Sequence, residues 1–171
     1  ENKGQEHYFH FDPQHYAYDP SRAAYVGQFA NLRLTAGNAF LAYGQMIDTP
    51  IMEIPQAEYS WYHYNHSQND PSYKASGTYV APAVVASAFL DGKGGYALFL
   101  ANADKLSHTI DFHISLASTA QTQDAAKLRL LTGFGRDDAL QTTDLGMLHH
   151  DEEQAVSVAL KPYGLYMLEI K

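Results

Sequence analysis

The sequence contains no cysteine, which excludes disulfide bonds, thiolate metal sites and cysteine nucleophiles. Basic residues are also few: 11 Lys and Arg stand against 19 Asp and Glu, for a net charge of −8. Because these basic residues are scattered, neither a nucleic acid nor an anionic membrane surface is expected as a partner. No apolar run approaches the ~18 residues that a membrane-spanning helix needs, so none is predicted.

What the chain does have is enough apolar residues for a core. It has 171 residues, of which 46% are hydrophobic, and this suits one domain or one domain plus part of another. The first six residues are polar and include no Met, so we expect a piece of a longer protein or a processed product. On that expectation the chemistry of the whole protein lies outside this chain.

The first half of the chain contains one strong helical pattern. Asp19 can cap a helix that has Pro20 at its first position, where the missing N–H costs nothing. Apolar residues then recur at spacings of mostly three and four, and they predict a long amphipathic helix over 20–47: Val26, Phe29, Ala30, Leu32, Ala36, Phe40, Tyr43 and Ile47. Pro50 gives a firm end to this helix.

From residue 79 the hydrophobic period shortens to two, which is typical of strands. A turn at Asp91–Gly95 predicts a hairpin, and one later strand should bury Ile110, Phe112 and Ile114 on one face. Strands are predicted over 79–90, 96–101, 108–116, 127–132, 156–160 and 165–170. The predicted fold class is therefore mainly β, an antiparallel β-sandwich preceded by one long amphipathic α-helix.

Three segments together resemble a known family: RLTAGNAFLAYGQMI, YVAPAVVASAFLDGKGGYALFLAN and VALKPYGLYMLEI. They are similar to the C-terminal region of bacterial glycoside hydrolases, where the last helix of a TIM barrel leads into an all-β sandwich. The resemblance implies that residues 1–50 are the end of an upstream barrel or a linker to it. Residues 51–171 would then be a C-terminal accessory sandwich that stabilises or caps the catalytic barrel. It also implies a periplasmic or extracellular location. Separately, we expect no cofactor.

An aromatic run at 59–64 supports an alternative, a carbohydrate-binding module. Sugar rings pack their C–H faces on flat aromatic side chains, so the candidate contacts are Trp61, Tyr62, Tyr64 and Tyr73. The competing interpretation is that Trp61 and its neighbours form the seam between the helix and the sandwich.

Catalytic and metal sites have weaker support in the sequence. Glycoside hydrolysis needs two carboxylates about 5–10 Å apart. The candidates that precede the predicted strands, which begin at residue 79, are interpreted as ordinary surface groups: Asp12, Glu53, Glu58 and Asp70. Histidines at 7, 10, 15, 63, 66, 149 and 150 lie in extended or turn segments, so we expect no metal site. We expect the isolated chain to be non-catalytic and to self-associate through its helix.

Overall fold

The computed structural model describes residues 20–62, 76–119 and 122–171. Most of this part is antiparallel β-structure, as the sequence predicts, and the longest helix stands at its start. The helices are α1 (Pro20–Leu34) and α2 (Asn38–Leu41), and a single 3₁₀ turn covers Ala117–Thr119. The strands are β1 (Gln45–Ile47), β2 (Gln56–Tyr62), β3 (Ser76–Pro82), β4 (Val84–Leu90), β5 (Tyr96–Asn102), β6 (His108–Ile114), β7 (Ala125–Thr132), β8 (Gln141–His149), β9 (Gln154–Leu160) and β10 (Leu165–Ile170).

The centre of the fold is a six-stranded sheet in the order β1-β4-β5-β10-β7-β8. Every residue of β5 and β10 is buried, because these two neighbouring strands are covered on both faces. Their sequences, YALFLAN and LYMLEI, are nearly continuous apolar runs rather than alternating ones. Continuous runs of this kind are typical of strands that are covered on both sides.

Two different layers cover the sheet. On one face the β6–β9 ribbon contributes alternating buried residues, Ile110, Phe112 and Ile114 from β6 and Val156, Val158 and Leu160 from β9, to the larger core cluster. The predicted one-sided burial of β6 is confirmed. On the other face Leu32 and Phe40 from the helices pack with Phe99 and Met167 of the sheet. No helix in the described part of the chain is long and apolar enough to cross a membrane.

The sequence predicts one helix over 20–47. The helix does begin at Pro20, but the prediction is wrong for its second half. The α1 helix ends at Leu34, where the N–H of Gly37 bonds to the Leu32 carbonyl at 2.9 Å. A Cβ at Gly37 would lie 3.0 Å from the Leu32 side chain and carbonyl, so this tight turn favours glycine. The apolar stripe is consequently split: Leu32 and Phe40 are buried, whereas Val26 and Tyr43 are 67% and 82% exposed.

The predicted strand over 79–90 is two strands with different partners. Its first part belongs to β3, which pairs with β2, and its second part is β4, which pairs with β5. The break falls at Ala83, whose N–H bonds to the Pro55 carbonyl at 2.7 Å and whose carbonyl accepts from Ala103 at 2.8 Å. These two bonds replace the ladder bonds that a continuous strand would make.

One charged residue lies within the helix-covered face of the sheet. Glu169 in β10 is 3% exposed, and its carboxylate pairs with Arg129 of β7 and with Lys171. Arg129 stands directly opposite Glu169 in the ladder, and the Lys171 Nζ lies 5.7 Å from the centre of the Phe40 ring. An unpaired carboxylate at this depth would be strongly destabilising, and these two cations compensate its charge.

The side chain of Asn102, at the end of β5, is fully buried and joins two loops. Its amide nitrogen donates to the carbonyls of Leu106 at 2.7 Å and Lys161 at 2.9 Å. Its side-chain oxygen accepts the backbone N–H of Asp104 at 2.9 Å. The loop after β5 and the turn between β9 and β10 are therefore held against the same amide group.

We predict that Tyr96→Phe leaves stability unchanged or raises the free energy of unfolding by up to about 1 kcal/mol. The Tyr96 hydroxyl is buried and has no hydrogen-bond partner among the described residues, and burial raises its pKa. Tyr166→Phe is the matched control, because its hydroxyl accepts the Lys161 N–H at 2.9 Å and its loss should cost about 1 kcal/mol. Urea denaturation measures both, and a larger loss in Tyr96→Phe would contradict the prediction.

We predict that Asn102→Ala lowers the free energy of unfolding by about 3 kcal/mol, because three backbone groups lose their partner at a buried site. Asn38→Ala is the control: it removes one exposed hydrogen bond, to the Arg33 carbonyl, and should cost less than about 1 kcal/mol. Equal losses in the two variants would show that Asn102 is not a structural node. Thermal and urea unfolding give the comparison.

Candidate functional site

Four tyrosines from separate elements lie close together, and we call them the tyrosine cluster: Tyr25, Tyr59, Tyr79 and Tyr163. The rings of Tyr59 and Tyr79 are stacked, with centroids 5.6 Å apart and planes inclined at 28°. Tyr25 and Tyr163 lie 6.0 Å apart with a tilt of 58°. The cluster therefore joins α1, the β2–β3 hairpin and the β9–β10 turn.

The hairpin register explains the stacked pair. Tyr59 of β2 is directly opposite Tyr79 of β3, the arrangement in which cross-strand aromatic pairs meet. The Tyr59 hydroxyl donates to the Pro82 carbonyl at 3.2 Å. Tyr79 remains 51% exposed, so one side of the pair is open to a ligand or to another surface.

The hydroxyls of Tyr25 and Tyr59 sit in partly desolvated surroundings. Burial and then the neighbouring Tyr59 raise the pKa of Tyr25. Burial, followed by the Asp104 carboxylate, raises the pKa of Tyr59, with further contributions from Tyr79 and Tyr163. Both phenols are consequently neutral near pH 7 and act as hydrogen-bonding groups rather than as bases.

An anion lies beside the cluster. The Asp104 carboxylate contacts the His108 Nε2 at 2.8 Å and accepts the Lys105 N–H at 2.7 Å. Burial alone would raise the pKa of Asp104, but the hydrogen bonds from His108, Lys105 and Leu106 together hold it below its ordinary value. Asp104 therefore stays ionised, and its two side-chain oxygens are already occupied by these partners.

The turn between β9 and β10 carries a backbone strain. Tyr163 has a φ of 53°, which places a non-glycine residue in the left-handed region at a cost of roughly 1–3 kcal/mol. The side chain of Gln28 holds this turn from α1: its Nε2 donates to the Tyr163 carbonyl at 2.9 Å, and its Oε1 accepts the Leu165 N–H at 3.2 Å. One amide thus fastens the helix to the sheet and fixes the conformation of Tyr163.

A groove of about 470 Å³ runs beside this turn, and we call it the polar groove. Its floor and walls come from α1, the segment from β7 to β8, and the β9–β10 turn. The polar lining residues are Gln28, Thr132, Asp138, Gln141, Lys161 and Tyr163. A second cleft, of about 460 Å³, lies on the outer side of the β6–β9 ribbon, where Glu53, Asp111, His113 and Ser157 contribute polar groups.

The predicted sugar contacts fall partly within the described residues. Trp61 and Tyr62 are the last residues of β2 and pair in the ladder with Gly77 and Ser76. Tyr64 and Tyr73 lie outside the described residues. The structure instead brings Tyr59 of the same aromatic run together with Tyr79. No sequence pattern identified Tyr25 or Tyr163 as site residues, although the segment Pro-Tyr-Gly at 162–164 is typical of a turn.

The predicted carboxylates are not gathered into one site among the described residues. Glu58 is exposed on β2, and Glu53 lines the ribbon cleft together with Asp111, which the sequence did not single out. Asp12 and Asp70 lie outside the described residues, as do all the predicted histidines except His149 and His150. Within the described ranges, no group of three or more His, Asp or Glu could hold a metal ion.

Comparison with known proteins gives structural similarities only. No protein-family model matches the sequence, and no curated protein matches it. Solved structures that are similar to it include a GH27 β-L-arabinopyranosidase from Geobacillus stearothermophilus, with 16% identity and a TM-score of 0.33. A second is a protein from Bacillus halodurans described as a putative α-N-acetylgalactosaminidase, with 20% identity and a TM-score of 0.34.

A third is an arabinose-bound GH51 α-L-arabinofuranosidase, with 11% identity and a TM-score of 0.34. The three alignments cover 52%, 54% and 58% of this chain but only 17%, 18% and 17% of the solved chains. The chain thus spans about one sixth of the length of these glycoside hydrolases. Similarity at this level assigns the chain to no family.

Proposed function

We propose that this chain is the non-catalytic C-terminal accessory β-sandwich of a glycoside hydrolase, and that it stabilises or caps the catalytic barrel of the same polypeptide. The sequence resemblance described above suggests this role. The two antiparallel layers that enclose the larger core cluster support the sandwich part of the proposal.

The observation that carries the proposal is the two-sided character of α1. Its inner side is fastened to the sheet by Gln28 and by Asn31, which donates to the Phe134 carbonyl at 3.1 Å. Its outer side is apolar and exposed: Val26 is 67% exposed and Leu34 is 79% exposed, and the small residues Ala23, Gly27 and Ala30 are exposed as well. A helix with two apolar sides is suited to lie between two bodies.

On this proposal residues 1–50 belong to the end of the barrel or to its linker, and residues 51–171 form the accessory sandwich. The α1 and α2 contacts with the sheet, together with the pairing of β1 with β4, would then be the packed junction between the two parts. Such a junction would couple the two parts, so that contacts with the sandwich stabilise the last helix of the barrel.

A carbohydrate-binding module is the second candidate. It is favoured by the stacked Tyr59–Tyr79 pair, whose exposed ring can receive the C–H face of a sugar. In this function the neighbouring Trp61, Tyr62, Tyr64 and Tyr73 would extend the aromatic surface.

We predict that the isolated 171-residue chain self-associates through the outer side of α1. Light scattering should give a mass that rises above 19.0 kDa with concentration, because burying Val26 and Leu34 contributes roughly 1–3 kcal/mol per side chain. The double variant Val26→Asp/Leu34→Asp should remain monomeric. Leu140→Asp/Met147→Asp is the matched control on another surface, where the side chains are 50% and 46% exposed, and it should associate like the wild type. A monomeric wild type would contradict the proposed junction.

We also predict that the isolated chain hydrolyses no glycoside. A panel of aryl glycosides should release no phenol above background, because the described residues offer no carboxylate pair on a rigid barrel face. Turnover that disappears in Glu53→Gln but persists in Glu58→Gln would assign catalysis to the ribbon cleft and overturn the accessory role.

A further inference from the structure

We infer that the polar groove beside the β9–β10 turn is a binding site for a neutral saccharide. The inference goes beyond the proposed accessory role, since a stabilising domain needs no ligand. The inference rests on the proposed function in one respect only: the association with a glycoside hydrolase determines which polysaccharides are used as probes.

The first support is the set of unused polar groups in the groove. Within the described part of the chain, no hydrogen bond or ion pair engages the side chains of Asp138, Gln141 or Lys161, although all three line the groove. A carboxylate accepts, an ammonium donates, and an amide does both. A ligand that carries many hydroxyl groups presents both donors and acceptors at short spacing, so it can satisfy all three side chains together.

The second support is the charge of the groove. Asp138 and Lys161 are its two ionisable side chains of opposite sign, and their formal charges cancel. Neither an anionic nor a cationic ligand would therefore gain a net Coulomb attraction. The ribbon cleft differs in this respect, since Glu53 and Asp111 both carry negative charge. A neutral polar ligand fits the polar groove better than it fits the ribbon cleft.

The third support is the conformation of Tyr163. A tyrosine in the left-handed region is less stable than a glycine would be there, and Gln28 holds its backbone in place. Strained residues persist where their surroundings over-determine them, and they concentrate at binding sites. Here the strained backbone keeps an aromatic residue on the wall of the groove, where a pyranose or furanose ring could pack against it.

Affinity electrophoresis of the 171-residue chain in gels that contain a soluble polysaccharide tests the inference. The probes are arabinan, galactomannan, xyloglucan and mixed-linkage glucan, with polygalacturonate as the anionic comparison. At least one neutral polymer should retard the wild type, and polygalacturonate should not. Gln141→Ala and Tyr163→Gly should each weaken that binding at least tenfold. Gln141 is exposed, so Gln141→Ala should keep the wild-type melting temperature within a few degrees. Tyr163→Gly relieves backbone strain but also loses the ring contact with Tyr25, so Tyr25→Ala, which loses the same contact and keeps Tyr163, is its control and should bind like the wild type.

Glu53→Gln, in the other cleft, is the matched control and should bind like the wild type. The inference is overturned if no neutral polymer retards the chain, or if polygalacturonate binds more tightly than the neutral probes. It is also overturned if Trp61→Ala abolishes binding while Gln141→Ala and Tyr163→Gly do not, because the sugar would then sit on the β2–β3 aromatics. None of these results depends on self-association through α1, so a failure here is distinguishable from a failure of the accessory role.

Discussion

The buried side chain of Asn102 is the constraint on which the end of the molecule that carries the β9–β10 turn depends. Its three hydrogen bonds fix the loop after β5 and the carbonyl of Lys161 at the same point. The backbone of Asn102 adds a fourth bond, to the Gly164 carbonyl at 2.9 Å. Tyr163 lies between these two anchored carbonyls, so the Asn102 amide in the core and the Gln28 amide on α1 together hold the turn that carries it.

The buried carboxylate of Glu169 constrains the register of the central strands. Glu169 meets Arg129 only when β10 lies in the observed register against β7, whereas Lys171 follows Glu169 along the same chain segment and moves with it. A shift by one residue would move the carboxylate to the ribbon-covered face, where the core cluster is apolar. The apolar runs of β5 and β10 alone would tolerate such a shift better, so the ion pair adds specificity that hydrophobic burial lacks.

Sequence patterns predicted the elements whose burial is regular, and missed those set by distant contacts. The alternation in β6 and the apolar runs of β5 and β10 identified these strands, and the start of α1 followed from Pro20. The predicted helix ran too far for a different, local reason: the apolar stripe continues past Gly37, but the chain turns there, with the Gly37 N–H bonded to the Leu32 carbonyl. The β8 strand, QTTDLGMLH, is an exposed edge with almost no hydrophobic pattern, so nothing local marked it. Tyr25 and Tyr163 are 138 positions apart, and only folding brings them together.

The position of β10 in the sheet has a consequence for synthesis. It is the last strand of this chain, yet it occupies the middle of the sheet, with β5 on one side and β7 on the other. During translation β5 and β7 are made before β10, the strand that joins them. Until β10 is made, the backbone groups along one edge of each strand have no partner strand. Unpaired strand edges of this kind can pair with strands of other chains, which leads to aggregation.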